Sequence, residues 1–503
     1  MRQALLLLLL STVLGIHLQA QPVFSPRNMA LGGGGSTYLT SYQTNFYNPA
    51  NLMIQDRSGD FSMGIGIGGF LLGAVKNYPD PEQQFQNARD YIAAYTEGTT
   101  QFGNTNMSDF LDDNFTTNNL LSDNRTRYES TLLGMKWKRE TKAFSIAIRT
   151  RTASNYEIGK GWYSDEFESI NGNAPVLNRT LNQRYQRLHE ISFGYAESFQ
   201  FLTNLTSRLD NFIIGIAPKV VLGGSYLNAE WSNLYEQRNT GVRRTESFSY
   251  DASGEFAASS SSFASGMDAN TANTTYISNN YFDITGVGAG LDIGITYLIT
   301  LGSDLSAIRP DQQPTQKSLR LSFAMTDIGF VSYTGSEELS FSSGPDTLSN
   351  VNTPNTVADE FFIGAKGQYI NFLQKFGETN PFSETTAERG SFSTLLPMAL
   401  HGGALLEINR VKLMGDVSIG LTNSAFNSPR ILSAAGVEIR PLQFLPLRGG
   451  IQFKAQRPEF ISLGIALETR YWDLSLATQF TTESISSDPI LTGISVAALQ
   501  FHF

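Results

Sequence analysis

Apolar and polar side chains swap at every step through the last third of this chain. Trp472, Leu474, Leu476 and Phe480 alternate with Asp473, Ser475, Ala477 and Gln479. Neighbouring side chains of a strand point to opposite faces, so this run sets two different surroundings on its two faces. Lipid on one side and a wet interior on the other supply that contrast. The closing run repeats the pattern, with Leu499, Phe501 and Phe503 on one face and Gln500 and His502 on the other.

Read this way, the chain predicts strands over 59–70, 130–139, 143–152, 188–199, 211–226, 285–300, 318–333, 397–408, 410–420, 430–440, 447–456, 459–468, 471–480 and 493–503. These fourteen segments imply an all-β fold, a transmembrane antiparallel β-barrel. A fifteenth candidate, Asp359 to Lys366, is set aside, because single-chain bacterial barrels have an even strand number with both ends on the periplasmic side. That region also reads as helix, with Phe362, Tyr369, Phe372, Leu373 and Phe376 at spacings near three and four. Fourteen strands place short connections at one end, such as Glu140 to Lys142, Asn409 and Thr469-Arg470. Four long connections, roughly Leu71 to Glu129, Ala153 to Arg187, Leu227 to Ile284 and Thr334 to Leu396, fall at the other end, as in extracellular loops. The first carries two short amphipathic helical patterns, Phe85, Ala88, Ile92, Tyr95 and Met107, Phe110, Leu111, Phe115. Either they form a lip for ligand or they pack on the rim; rim packing is the commoner use of an amphipathic helix. The Ser, Ala, Thr and Asn-rich stretch from Asp251 to Asn280 buries little apolar area and reads as flexible.

Composition fits the barrel reading. Apolar residues make up 41% of 503, with 34 Phe and 20 Tyr, as expected when half of each strand is greasy and the loops are polar. Large barrels are single units, so one barrel domain is expected despite the length. The amino terminus reads as a signal peptide over residues 1–20: Met1-Arg2, an apolar run to Ile16, then Leu18-Gln19-Ala20. A membrane anchor is the rival reading. Removing Arg2 with the signal leaves 35 basic against 46 acidic residues, a net −11 that disfavours nucleic acid as a partner. With no cysteine, disulfides and thiolate chemistry are excluded.

The glycine runs and histidines of the chain do not form a catalytic or cofactor motif, and no enzyme is expected. Gly32 to Gly35 lacks the Gly-Lys-Ser/Thr of a phosphate loop, and Gly286 to Gly290 lies in an alternating strand. His189, His401 and His502 sit in three different expected strands, where hydrogen bonding is the ordinary role. Neither a cofactor nor a metal is expected. Arg320, Lys412, Asp416, Glu438, Arg440, Glu468 and Asp473 fall on lumen faces, either as hydrated ion pairs or as a selectivity lining.

Two motifs follow the signal. Arg27-Asn28-Met29-Ala30-Leu31-Gly32-Gly33-Gly34-Gly35 precedes Asn45-Phe46-Tyr47-Asn48-Pro49-Ala50-Asn51-Leu52. The pairing resembles the amino-terminal segment of the FadL and PorV superfamily of outer-membrane barrels. Thr326-Asp327-Ile328-Gly329-Phe330 and Leu395-Leu396-Pro397 are similar to segments of uncharacterised Bacteroidota outer-membrane proteins of that kind, and the terminal Phe503 resembles the signal that ends bacterial outer-membrane barrels. The resemblance implies a fourteen-stranded barrel in the outer membrane of a Gram-negative bacterium, in contact with outer-membrane lipid. It also implies a hatch in the lumen, residues 21–58, before a barrel over 59–503. Candidate hatch residues are Asn28, Gly32, Gly33, Gly34, Gly35, Asn48, Pro49 and Ala50. Physically, glycines permit positive φ and close approach to a wall, while Asn-Pro fixes a bend and supplies an amide. A flexible periplasmic linker is the competing reading; Phe46, Tyr47 and Leu52 favour burial. The function implied is passive transport or reception of a small hydrophobic ligand. The alternative is a PorV-like scaffold that holds a secreted protein partner.

Overall fold

The structure is a computed structural model that describes residues 25–54, 60–72, 121–162, 166–169, 173–199, 210–239, 241–254, 256, 283–301, 317–348, 386–427, 429, 431–454, 457–481 and 491–503. The first half contains β1 (Phe61–Leu72), β2 (Leu121–Arg139), β3 (Lys142–Gly159), β4 (Val176–Asn178), β5 (Leu181–Phe199), β6 (Asp210–Arg238), β7 (Gly241–Ser253) and β8 (Gly286–Thr300). Then come β9 (Lys317–Leu348), β10 (Thr386–Leu395), β11 (Ala399–Ile408), β12 (Val411–Gly420), β13 (Ile431–Leu442), β14 (Leu445–Lys454), β15 (Arg457–Glu468), β16 (Trp472–Thr481) and β17 (Leu491–His502).

Antiparallel pairing runs β1–β2–β3–β5–β6–β8–β9–β11 and on through β17, and β17 pairs back onto β1. The ring is closed and contains fourteen strands. Closure removes the sheet edges that would otherwise expose unpaired backbone. All fourteen segments expected from alternation are members of the ring. β4, β7 and β10 lie outside it: β4 and β7 extend the wall along β6, and β7 and β10 along β9.

Alternation turns into two faces. On β16, Leu474 and Leu476 point outward and are 45% and 44% exposed, whereas Asp473, Ser475, Ala477 and Gln479 are buried inside. Around the ring the exposed outer positions include Ile65, Phe193, Ile214, Ile216, Ile295, Phe323, Leu413, Leu463, Ile465 and Leu499. A continuous apolar belt of this extent is expected of a surface meeting lipid.

Several strands run further than their alternation announced. β6 continues to Arg238 and β9 to Leu348, and β7 and β10 lie within stretches expected to be loop. These extensions, such as Asn228–Arg238, carry polar residues on both faces; above an apolar belt there is no lipid to write a period of two. The wall is therefore tall from β2 to β10 and short from β11 to β17.

One local event changes the phase of the pattern. Between Leu291 and Ile293 of β8, the single Asp292 faces both Thr326 and Asp327 of β9, a β-bulge in which Asp327 has φ 58°. Before the bulge, Leu321 and Phe323 are exposed; after it Phe330 is exposed and Val331 and Tyr333 are buried. One inserted residue has flipped the faces, as a bulge must. Here β9 also changes partner, from β11 up to Thr326 to β10 from Phe330 onward.

The expected signal peptide, the helices within 85–115, the Asp359–Lys366 segment and most of the Asp251–Asn280 stretch lie outside the described residues.

Candidate functional site

Residues 25–54 occupy the lumen at the end where β1 begins and β17 ends, called here the lower end. Each turn of the segment is capped by its own sequence. Ser25 caps the short helix α1 (Pro26–Ala30), with Pro26 in its first turn. Ser41 caps a 3-10 turn at Tyr42–Phe46, and Asn48 caps another at Pro49–Met53, its Oδ1 accepting from Ala50 N at 3.2 Å. The Asn-Pro pair thus starts a helical turn as well as bending the chain.

The candidate hatch residues lie in two contact zones. Gly32 and Gly33 have φ 75° and 87°, which an L side chain rarely adopts. Gly34 and Gly35 do not need positive φ; they need space, since a Cβ on Gly34 would sit 2.5 Å from Met414 Cε and one on Gly35 2.7 Å from Asn28 Nδ2. In the second zone, Asn48 Nδ2 donates to Ser36 O at 2.8 Å and to Thr296 Oγ1 at 3.0 Å, and Asn51 Nδ2 donates to Ser36 O at 2.7 Å. The carbonyl of Ser36 therefore links the glycine motif to the Asn-Pro-Ala motif, while Pro49 and Ala50 rest against Gly215 of β6. Ser36 N donates to Asp416 Oδ1 at 3.0 Å, and its hydroxyl donates to the same oxygen.

Charges expected on lumen faces converge on this segment. Arg448 Nε donates to Glu438 at 2.8 Å and to Tyr38 Oη at 3.0 Å, while the Tyr38 hydroxyl donates to Glu438. Burial pushes the Tyr38 phenol well above its ordinary pKa, so it remains a donor. Arg440 reaches Glu438 at 2.7 Å and Glu468 at 2.8 Å; Arg27 reaches Glu468 at 3.2 Å and Asp473 at 3.6 Å. Arg320 and Lys412 share Glu407 at 3.1 and 3.4 Å. These side chains form a paired lattice under the hatch. On the opposite wall Lys136 Nζ donates to Thr40 O and Ile54 O, at 2.5 and 3.0 Å.

A second network, not anticipated from the sequence, crosses six neighbouring strands above the hatch. Arg151 clamps Asp327 with two bonds of 2.9 and 2.7 Å and reaches Glu190 at 2.9 Å. Lys219 reaches Asp292 at 2.9 Å, Glu190 at 3.4 Å and also Asp327; Arg149 joins Glu190 to Glu129. Asp292 accepts the N–H of Asp327 at 2.5 Å, so the network is built on the bulge. The guanidinium of Arg149 lies 4.0 Å over the Phe46 ring of the hatch, and that of Arg151 lies 4.8 Å over Phe426.

Above the charges sits an apolar cluster including Leu188, Val221, Val331, Tyr333, Leu396 and Phe426. Tyr226, Tyr333 and Phe392 pack ring to ring at 5.0 to 5.3 Å, and Gln186 donates to Tyr333 Oη at 3.3 Å. A cleft of about 20 Å³ touches the hatch through Phe46 and Tyr47, the network through Arg149, Arg151 and Asp327, and the apolar cluster through Phe426. That is space for one water.

His189, His401 and His502 each have hydrogen-bond partners of their own. His189 bonds Thr150 at 2.6 Å, His401 bonds Thr326 and Ser418 at 3.0 and 2.8 Å, and His502 bonds Asp473 at 2.9 Å. Among the described residues no group of three or more His, Asp or Glu side chains is arranged to hold a metal ion.

A family model described as "Family of unknown function (DUF5723)" matches residues 56–477. The chain belongs to DUF5723. No curated protein matches this DUF5723 chain. Among solved structures it is similar to the Pseudomonas putida toluene transporter TodX, at 11% identity over 97% of this chain and 99% of that one, with a TM-score of 0.41. It is also similar to the monoaromatic hydrocarbon channel CymD, at 12% identity over 95% and 97% of the two chains, with a TM-score of 0.38. Likeness at these scores carries no argument; the barrel stands on its own strand pairing. Residues 25–54 lie ahead of the region that the DUF5723 model matches.

Proposed function

We propose that this DUF5723 protein is an outer-membrane β-barrel of a Gram-negative bacterium that binds small hydrophobic compounds at its upper end for passive uptake or reception. It has no enzymatic role in this reading. The observation that carries it is the layered lumen of a closed ring with an apolar outer belt. An aromatic cluster faces inward at the upper end, over a charged network and a hatch. An apolar site with few polar groups, here Gln186 and the Tyr333 hydroxyl, is what a small hydrophobic ligand requires. In this reading the ligand is recognised by the stacked rings of Tyr226, Tyr333 and Phe392, which part to admit it.

The test is naphthalene uptake, followed by its fluorescence, across lipopolysaccharide-containing vesicles with and without the purified barrel. Saturable uptake above the protein-free rate, weakened by Tyr333→Ala, is expected. Uptake equal to that of empty vesicles, together with stoichiometric co-purification of a secreted protein, would replace this reading with that of a scaffold.

A further inference from the structure

One aromatic ring enters the lumen from a turn rather than from the wall. Phe426 lies in the connection from β12 to β13, among the polar residues Thr422, Asn423, Ser424 and Asn427, yet it is only 5% exposed. The turn is shaped by its own sequence: Ser424 Oγ accepts the N–H of Phe426 at 3.2 Å and that of Asn427 at 3.1 Å. Asn427 Nδ2 donates to Met398 O at 3.0 Å and to Pro397 O at 2.5 Å, between β10 and β11. Phe426 itself belongs to no strand, so its departure would leave the ring of strands closed.

What the residue touches is specific to its parts. Its ring centroid is 4.8 Å from the guanidinium of Arg151 and 5.8 Å from that of Arg127, and Arg127 also donates to its carbonyl oxygen. Both arginines are more than nine-tenths buried. Packing alone would accept any apolar side chain, whereas buried guanidiniums favour the electron-rich face of an aromatic ring. Phe426 thus fills two neighbouring subsites, one for a ring and one for a carbonyl oxygen, and the small cleft described above adjoins them. With Arg127 added, the buried network holds four bases against four acids, and Phe426 brings it no charge. A carboxylate in its place would bury a further negative charge in a matched set, which is costly.

We propose that Phe426 is an internal stand-in for the ligand, and that the site it fills takes a neutral aromatic compound whose carbonyl oxygen is separated from the ring by a two-carbon spacer. The ring of the ligand lies on Arg151 and its oxygen accepts from Arg127, while the turn carrying Phe426 moves aside. This rests on the reception of small hydrophobic compounds proposed above and narrows their class. Since the stand-in competes for the site, apparent affinity is the intrinsic affinity scaled by the fraction of molecules whose turn is open.

Hydrocinnamamide carries the ring, spacer and carbonyl of Phe426 without the chain, and isothermal titration of the purified full-length barrel in detergent, against empty micelles, measures its binding. Phe426→Ala should bind it about tenfold more tightly than the unmodified protein, and Phe426→Ala with Arg127→Met should lose that gain. Propylbenzene, which lacks the oxygen, and hydrocinnamate, which is charged, should each gain less than about threefold. No gain for the amide, or an equal gain for propylbenzene, would overturn the proposal, the second because it marks a mere apolar void. Amide exchange in the unmodified protein gives a readout that does not depend on how the variants fold. The amide probe should quicken exchange at Phe426 and Asn427 about tenfold and leave β12 unchanged; no change up to the solubility limit of the probe overturns the displacement of the turn. Tight binding of the amide without naphthalene uptake would remove the transport reading and keep the site. Saturable uptake with no gain on Phe426→Ala would do the reverse.

Discussion

Replacing Leu476 by arginine places a charge on the outer face of β16, where the account puts lipid. Leu476 is four residues from Trp472, so at roughly 3.4 Å per residue and a tilt of about 40° it lies ~10 Å into the belt. The belt of such barrels is about 25 Å tall, which puts Leu476 close to the middle, where an outward arginine costs about 2 to 4 kcal/mol. At about 1.4 kcal/mol per factor of ten, folding should become some 30- to 1000-fold less favourable. Leu474→Arg, on the same face but nearer the lower rim, should cost less. Gln479→Lys on the inner face gives up the 3.3 Å bond to Gln452, worth about 1 kcal/mol, but meets Gln452 and Ser462 rather than lipid, so it should cost less than Leu476→Arg. Urea titration of the barrel folded into vesicles, read by heat-modifiable mobility, measures all three. Equal destabilisation by Leu476→Arg and Gln479→Lys would refute the assignment of faces.

Further outcomes follow from other layers of the lumen. Leu499→Arg should impair assembly while Gln500→Lys leaves it intact, because Leu499 is exposed outside and Gln500 lies inside beside Asp473; heat-modifiable mobility of membrane fractions checks this. Arg151→Met, which removes the clamp on Asp327 and a partner of Glu190, should destabilise the barrel by about 3 to 5 kcal/mol in the same titration, and adding Asp327→Asn should recover part of that loss. Burial raises the phenol pKa of Tyr38, Tyr42 and Tyr47 in the hatch, so their contribution is complete below the ordinary value near 10 and falls as pH rises above it. Thermal unfolding should therefore ease above pH ~10, and less so in Tyr38→Phe with Tyr42→Phe; an unchanged alkaline profile in that variant would count against their burial.

The ring was legible because lipid imposes a period of two that local sequence has to carry. Leu474 and Leu476 against Ser475 and Gln479 need no knowledge of the rest of the chain. The upper wall was not legible, because β7 and the ends of β6 and β9 carry polar residues on both faces. The bulge at Asp327 hid the inward turn of Val331 and Tyr333, since alternation counted from Phe323 points them outward. For the hatch, the chemistry of Gly32, Gly33 and Asn48 was readable from residue type, but the partners were not. Ser36 meets Asp416 across 380 positions and Tyr38 meets Glu438 across 400, separations no local pattern records. One signal was available: Gly64, Gly134, Gly215, Gly294, Gly436, Gly450 and Gly464 all fall inside alternating strands at inward positions, which marks the ring where residues of a second segment press against the wall.

A closed barrel with lipid outside and an occupied lumen inside is tested most directly by scanning β16 with single spin-labelled cysteines. In a lipid bilayer the account predicts that labels at Leu474 and Leu476 collide readily with oxygen and rarely with a water-soluble nickel chelate. Labels at Ser475 and Gln479 should collide rarely with both, because the lumen beside them is filled. Loss of the two-residue period, or free access of the chelate to both faces, would contradict the account.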